Sequence, residues 1–177
     1  MRTILKGAVL LFVFIIALSV MPVSNAQALD TELFVYKSPD FTVNVPKDWY
    51  KASLIPHPAI VLEKRPKKSD IDTFLVAVAD VPEGMTLKDS PQRFITVLQK
   101  LWNAKNLQTL YEREIKLTDG TPAYEYETKW DNPSAVDNLH TYRVVAYKDK
   151  KLITIEITTD KQVSDELKQL PLSLAFK

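Results

Sequence analysis

Four glutamates, Glu112, Glu114, Glu125 and Glu127, are the residues of this chain whose type and spacing come closest to chemistry. They lie in "LYEREIKLTDGTPAYEYETKW", residues 110–130, two on each side of Asp119-Gly120, a pair that supplies the positive φ of a tight hairpin. A two-residue loop sets Ile115 against Tyr124 and Leu117 against Pro122, matching the apolar sides. A one-residue slip that brings Tyr124 and Tyr126 opposite Lys116 and Glu114 buries charge, so the first register is expected. It places Glu114 opposite Glu125 and Glu112 opposite Glu127, four carboxylates on one face. Directly opposed like charges cost about 0.2–1 kcal/mol per pair. A calcium ion offsets such repulsion, since it prefers several oxygen ligands. So does a Lys or Arg from a neighbouring strand or a covering helix, or plain solvation. A glycosidase-type acid/base pair also needs two carboxylates, but no aromatic-lined cleft can be inferred to hold a sugar.

Other chemistries are poorly supplied. The chain has no Cys, which excludes a disulfide framework, a thiolate nucleophile and a thiolate zinc site. Its 3 Gly exclude Gly-rich phosphate loops and leave little room for a nucleophile elbow. His57 stands between Pro56 and Pro58 in "IPHPAI", a rigid extended loop, and His140 opens a strand after "DNPSAVDNL". Neither has a second His or a Cys at ligand spacing, so both are expected to be solvated loop histidines. A Ser/His/Asp triad assembled from distant residues is open to any chain with a histidine. Enzyme activity, as a hydrolase with an unrecognised site, is therefore the minor alternative.

The elements that must position these residues follow an export segment. "MRTILKGAVLLFVFIIALSV" has Arg2 and Lys6 ahead of an apolar run from Ala8 to Val20. Pro22 and the small residues Ala26 and Ala28 then suit a signal peptidase, so residues 1–28 read as a signal peptide and 29–177 as one domain. The run is short for a membrane anchor, which takes about 20 apolar residues. Losing Arg2 and Lys6 from 23 basic residues, against 22 acidic ones, leaves a near-neutral mature chain outside the cytoplasm. Nothing in that balance attracts nucleic acid.

In the mature chain "FTVNV" alternates Phe41, Val43 and Val45 with Thr42 and Asn44, the period of a half-buried strand. "AIVLEKR" and "TFLVAVADV" are further strands, the second apolar enough to be central. "DSPQRFITVLQKLWNAK", residues 89–105, is a helix whose Phe94, Val97, Leu98, Leu101 and Trp102 form one stripe to pack on a sheet. Asp89 or Ser90 caps its start, with Pro91 in the first turn. Hairpins follow at 110–130 and 140–160, the second turning at Asp149-Lys150, and a short helix near "SDELKQL" precedes the closing "PLSLAF". The class is α+β, an α-β-α sandwich with a central twisted antiparallel sheet flanked by helices. Tyr36, Trp49, Tyr50, Trp130 and Tyr142 are the aromatics expected near a surface or sheet edge. Trp130 and Tyr142, with His57, are the interface candidates, because Trp and Tyr dominate binding hot spots.

"YKSPDFTVNVPKDWY", residues 36–50, resembles the opening of the PsbP-like family, named for an extrinsic protein of photosystem II. Its F-x-V-x-V-P-x-x-W pattern is matched by Phe41, Val43, Val45, Pro46 and Trp49. The resemblance continues through "LKDSPQRFITVLQKLW", "DGTPAYEYETKW", "YRVVAYKDKKLITIEITTD" and "LPLSLAF", from Leu33 to Phe176. It implies a non-catalytic binding or assembly module in a lumenal or periplasmic space, docked to an extracytoplasmic or membrane-associated protein complex. Peripheral membrane contact and a monomeric state go with that reading. Some members bind calcium, which makes a calcium-binding domain the runner-up. The chain departs from the photosystem subunit in lacking a long N-terminal docking arm before Tyr36.

Overall fold

The computed structural model describes residues 29–52, 58–64 and 72–177. The leader read at 1–28 and His57 lie outside the described residues.

The alternation at Phe41, Val43 and Val45 makes strand β2 (Asp40–Pro46), with all three side chains essentially sealed and Thr42 and Asn44 half-buried. A tight turn at Ser38-Pro39 joins it to β1 (Thr31–Lys37), and β10 (Ala175–Phe176) pairs on its other side. These three form a small antiparallel sheet in the order β1-β2-β10. The remaining strands are β3 (Tyr50–Lys51), β4 (Pro58–Glu63), β5 (Thr73–Asp80), β6 (Lys105–Lys116), β7 (Pro122–Asp131), β8 (Leu139–Lys148) and β9 (Lys151–Thr159). They form a seven-stranded antiparallel sheet in the order β3-β4-β5-β9-β8-β7-β6, with β5 in its interior. Among the described residues two α-helices, α1 (Ser90–Trp102) and α2 (Asp165–Leu172), and a 3₁₀ turn at Leu87–Asp89 complete the fold. Among the described residues no helix is long and apolar enough to cross a membrane.

Because strand side chains alternate, the large sheet has two distinct faces. One presents Phe74, Val76, Tyr142, Val144, Ile153, Ile155 and Ile157, which pack with Phe41, Val43 and Val45 of β2 and with Leu170 of α2. The other presents Tyr124, Tyr126, Trp130 and Val145, covered by Phe94 and Leu98 of α1. The class is α+β, as expected. The addition is the small sheet, which shares one face with α2.

The expected register of the β6–β7 hairpin is corrected. The observed pairs are Ile115 with Ala123, Glu114 with Tyr124, Arg113 with Glu125 and Glu112 with Tyr126. Leu117 N–H donates to Thr121 O and Gly120 N–H to Leu117 O, so the loop holds three residues, Thr118 to Gly120. Asp119-Gly120 thus closes a type I turn followed by a left-handed glycine, not the two-residue turn expected of that pair. Gly120 has φ +84 with nothing within 4 Å of where a Cβ would stand, so only its backbone conformation demands glycine. Gly120→Ala is expected to lower the urea midpoint by the equivalent of about 1 kcal/mol, the left-handed penalty for a residue with a Cβ. Gly120→Asn, which tolerates that region, should lose less; equal losses would place the cause elsewhere.

Helix α1 also departs from expectation at its start. The Asp89 carboxylate turns back to accept from the backbone N–H and hydroxyl of Thr86, at 2.7 and 2.8 Å, closing the preceding 3₁₀ turn instead of capping α1.

Candidate functional site

The corrected register splits the four glutamates. Glu125 and Glu127, on interior strand β7, point into the core beneath α2, each 1% exposed. Glu112 and Glu114 belong to the opposite face of β6, an edge strand where side chains reach water. Glu114 is exposed there and meets Lys88 at 3.0 Å. Because β6 is an edge strand, the charges opposite Tyr124 and Tyr126 are not buried, and the register that pairs them carries no such cost. The four donors are not brought together, and among the described residues no group of three or more acidic or histidine side chains is placed to hold a metal.

A buried carboxylate needs a partner, because removing it from water costs several kcal/mol. Glu125 receives the Arg113 guanidinium from directly across the strand pair. Its other oxygen accepts from the Tyr142 hydroxyl at 2.5 Å. Burial, together with that hydrogen bond, pushes the Tyr142 phenol far above the usual tyrosine range, so it acts as a fixed donor. Glu127 lies 3.2 Å from His140 Nδ1 and 2.8 Å from Lys168 Nζ, which descends from α2. Lys168 Nζ also stands over the Tyr111 and Tyr142 rings, 5.2 and 5.5 Å from their centroids. Burial works against its charge, but the Glu127 hydrogen bond and charge outweigh it and hold the ammonium above the ordinary lysine value.

These contacts answer the question the glutamates posed. Their charge is offset by an arginine on the neighbouring strand and a lysine on the covering helix, one of the alternatives open from sequence. Arg113 is flanked by Glu112 and Glu114, so its alternation with them carried a signal that the expected register concealed. Lys168 carried none, since only the packing of α2 brings it to β7. His140 is corrected as well: it sits within β8, mostly buried against Glu127, and is not a solvated loop residue.

The interface candidates are placed differently from expectation. Tyr142 is fully buried and Trp130 nearly so, its indole N–H donating to Thr141 Oγ1 at 3.0 Å. Both are core residues and present no surface to a partner. Trp49 is buried, while Tyr50 is exposed on β3. A second, half-buried ion pair, with no signal in the sequence, joins Arg143 to Glu156 at 2.7 Å under α1, with the guanidinium 3.9 Å above the Phe94 ring. No member of either network lines either of two shallow depressions, each about 480 Å³, which are formed by Gln99 and Asn103–Leu107 and by Leu87, Glu114–Lys116, Pro122 and Ala123.

What remains unsatisfied is apolar and outward. On β1, Phe34 and Tyr36 turn to the core, whereas Leu33 and Val35 are 60% and 40% exposed on the other side. As β1 ends its sheet, one backbone edge of that strand has no paired strand among the described residues. On α1 only Phe94 and Leu98 of the expected stripe are buried; Val97, Leu101 and Trp102 are exposed. The helix ends at edge strand β6, and among the described residues no strand beyond it extends the floor for the stripe.

No curated protein matches the chain. Among solved structures it is similar to a cyanobacterial PsbP from Synechocystis, with a TM-score of 0.63, 15% identity and coverage of 89% of this chain and 99% of that one. The Saccharomyces cerevisiae Ran-binding protein Mog1p is similar at a TM-score of 0.59 and 12% identity, covering 84% of this chain and 96% of that one. A mutant form of Mog1 matches at a TM-score of 0.54 and 15% identity, over 81% and 87%. At such identities these likenesses establish the fold alone. The PsbP family model matches residues 30–173, nearly all of the described chain, a span that includes the core-sealing strand β2 and the buried Trp49 after it. The chain belongs to the PsbP family.

Proposed function

We propose that this chain is a non-catalytic PsbP-type module of an extracytoplasmic space that docks to a membrane-associated protein complex along strand β1. The observation that carries the reading is the outer side of that strand, where Leu33 and Val35 are exposed beside a backbone edge that no described strand pairs. Natural proteins blunt such edges unless a partner uses them. A partner segment adding to β1 would gain ladder hydrogen bonds and cover both side chains. Glu125 and Glu127, the best candidates for acid/base work, are sealed and held by Arg113, Tyr142, His140 and Lys168, which favours a structural role for them.

A photoreactive residue at position 33, introduced in the native host, is expected to give one discrete adduct of higher mass. The same residue at Lys150, in the exposed β8–β9 turn, should give none. Leu33→Lys with Val35→Lys should abolish capture when a photoreactive group is placed at Thr31, and change stability by no more than about 0.5 kcal/mol. Equal labelling from positions 33 and 150 would remove the β1 assignment.

A further inference from the structure

The outer part of α1 has a chemistry distinct from that of β1. From Ser90 to Tyr111 the sequence contains no Asp or Glu, and its charged residues are Arg93, Lys100 and Lys105. All three are exposed, and none forms an ion pair with a described residue. Asp89 and Asp131 lie close by and are engaged, while the exposed Glu112 and Glu114 stand on the same face of β6 nearer its hairpin end, Glu114 paired with Lys88. Asp89, whose charge is felt at Arg93, closes on Thr86. Asp131, opposite Lys105, accepts from Asn106 Nδ2 at 2.6 Å and Asn138 N–H at 2.7 Å. On the same helix Val97, Leu101 and Trp102 are 45%, 74% and 52% exposed, Val97 and Leu101 on one side of the buried Phe94–Leu98 stripe and Trp102 on the other. Beside them is the open depression lined by Gln99, Asn103, Lys105 and Asn106, amide and ammonium groups able to donate to phosphate oxygens.

We propose that the C-terminal half of α1 and the turn after it dock on a bilayer surface carrying anionic phospholipid. Helices that lie in the membrane interface combine Lys and Arg with Trp and Leu in this manner, the apolar tips entering the headgroup boundary and the cations meeting phosphate. A protein partner is the poorer fit, because protein interfaces are depleted in lysine and use mixed charge at the rim. The inference rests on the extracytoplasmic, membrane-associated part of the reading above, and uses a surface separate from β1.

The test is binding of the protein, purified as its host processes it, to vesicles of phosphatidylcholine with and without phosphatidylglycerol. Trp49 and Trp130 are buried, so Trp102 is the exposed indole and reports its own environment. Its emission should shift to the blue on phosphatidylglycerol vesicles alone, and added salt should reverse the shift. Each cation near an anionic surface is worth about fivefold in binding, so Lys100→Glu with Lys105→Glu should weaken binding at least about tenfold. Leu101→Ser should abolish the blue shift with the fold intact by circular dichroism. Equal binding to both vesicle types, or no loss in these variants, overturns the proposal. So does loss of a protein cross-link in the α1 variants with vesicle binding kept, which would give the patch to a protein. Position-33 adducts that survive the α1 variants, and vesicle binding that survives the β1 variant, let either proposal fail without the other.

Discussion

Lys168→Met is expected to destabilise the protein by roughly 3 kcal/mol, the low end of what breaking a buried ion pair costs, since Lys168 keeps some contact with water. The loss comes from Glu127, 1% exposed, which is left with His140 alone. A lysine on a surface helix would ordinarily change stability by no more than about 0.5 kcal/mol. The partner substitution makes the cause visible. Glu127→Gln combined with Lys168→Met should recover most of the loss, because a buried pair replaced on both sides no longer strands a charge. Chemical denaturation of the two single variants and the double variant measures the coupling. Additive losses would show that Lys168 acts through packing on Tyr111 and Tyr142 and not through its charge.

The pH dependence has a fixed sign. The folded-state value of Lys168 is raised above the ordinary 10.5, so its contribution is complete below that pH and is lost as pH rises through the folded value. The gap between the native chain and Lys168→Met should therefore hold steady from neutrality to about pH 10 and narrow at higher pH. A gap already closing near neutrality would mean that another group controls it.

Phe41→Ala is expected to cost about 3–5 kcal/mol, the range for truncating a sealed aromatic. Against a total stability of about 5–15 kcal/mol, that loss brings the protein close to unfolding at ambient temperature. Phe41 is fully buried; its ring stacks on Tyr36 at 5.1 Å between centroids and meets Phe176 edge-on at 6.1 Å. These rings come from β2, β1 and β10, so one truncation loosens all three strands of the small sheet from the large one. Phe41→Leu should retain more than half of the lost stability by keeping apolar volume in the site. A urea transition shifted by less than the equivalent of about 1 kcal/mol would mean that the layers are held elsewhere.

The two faces of the large sheet explain which functional elements could be read from the chain and which could not. The grouping of Glu112, Glu114, Glu125 and Glu127 depends on the length of one loop, and the observed loop divides them between two faces. Adding Thr118 to the turn moved Glu125 from a like charge to Arg113. A strand's side-chain period is two, so a single residue reverses every facing relation. The α1 stripe was legible as a helix from its 3.6-residue period. Periodicity states which side chains share a face, but not how far the opposing sheet extends, so the exposure of Leu101 and Trp102 was hidden.

The sequence by itself determined the α+β class, the strands at 41–45, 73–81 and 140–160, a helix within 89–105 and the family pattern running through them. Those features depend on local alternation and turn chemistry, which neighbouring residues carry. Only the tertiary structure decided that Lys168 would reach Glu127, that Tyr142 and Trp130 would be core, and that Leu33, Val35, Leu101 and Trp102 would face outward. Each of these is set by where a sheet ends or which helix covers it, and contacts between distant segments leave no trace in local spacing.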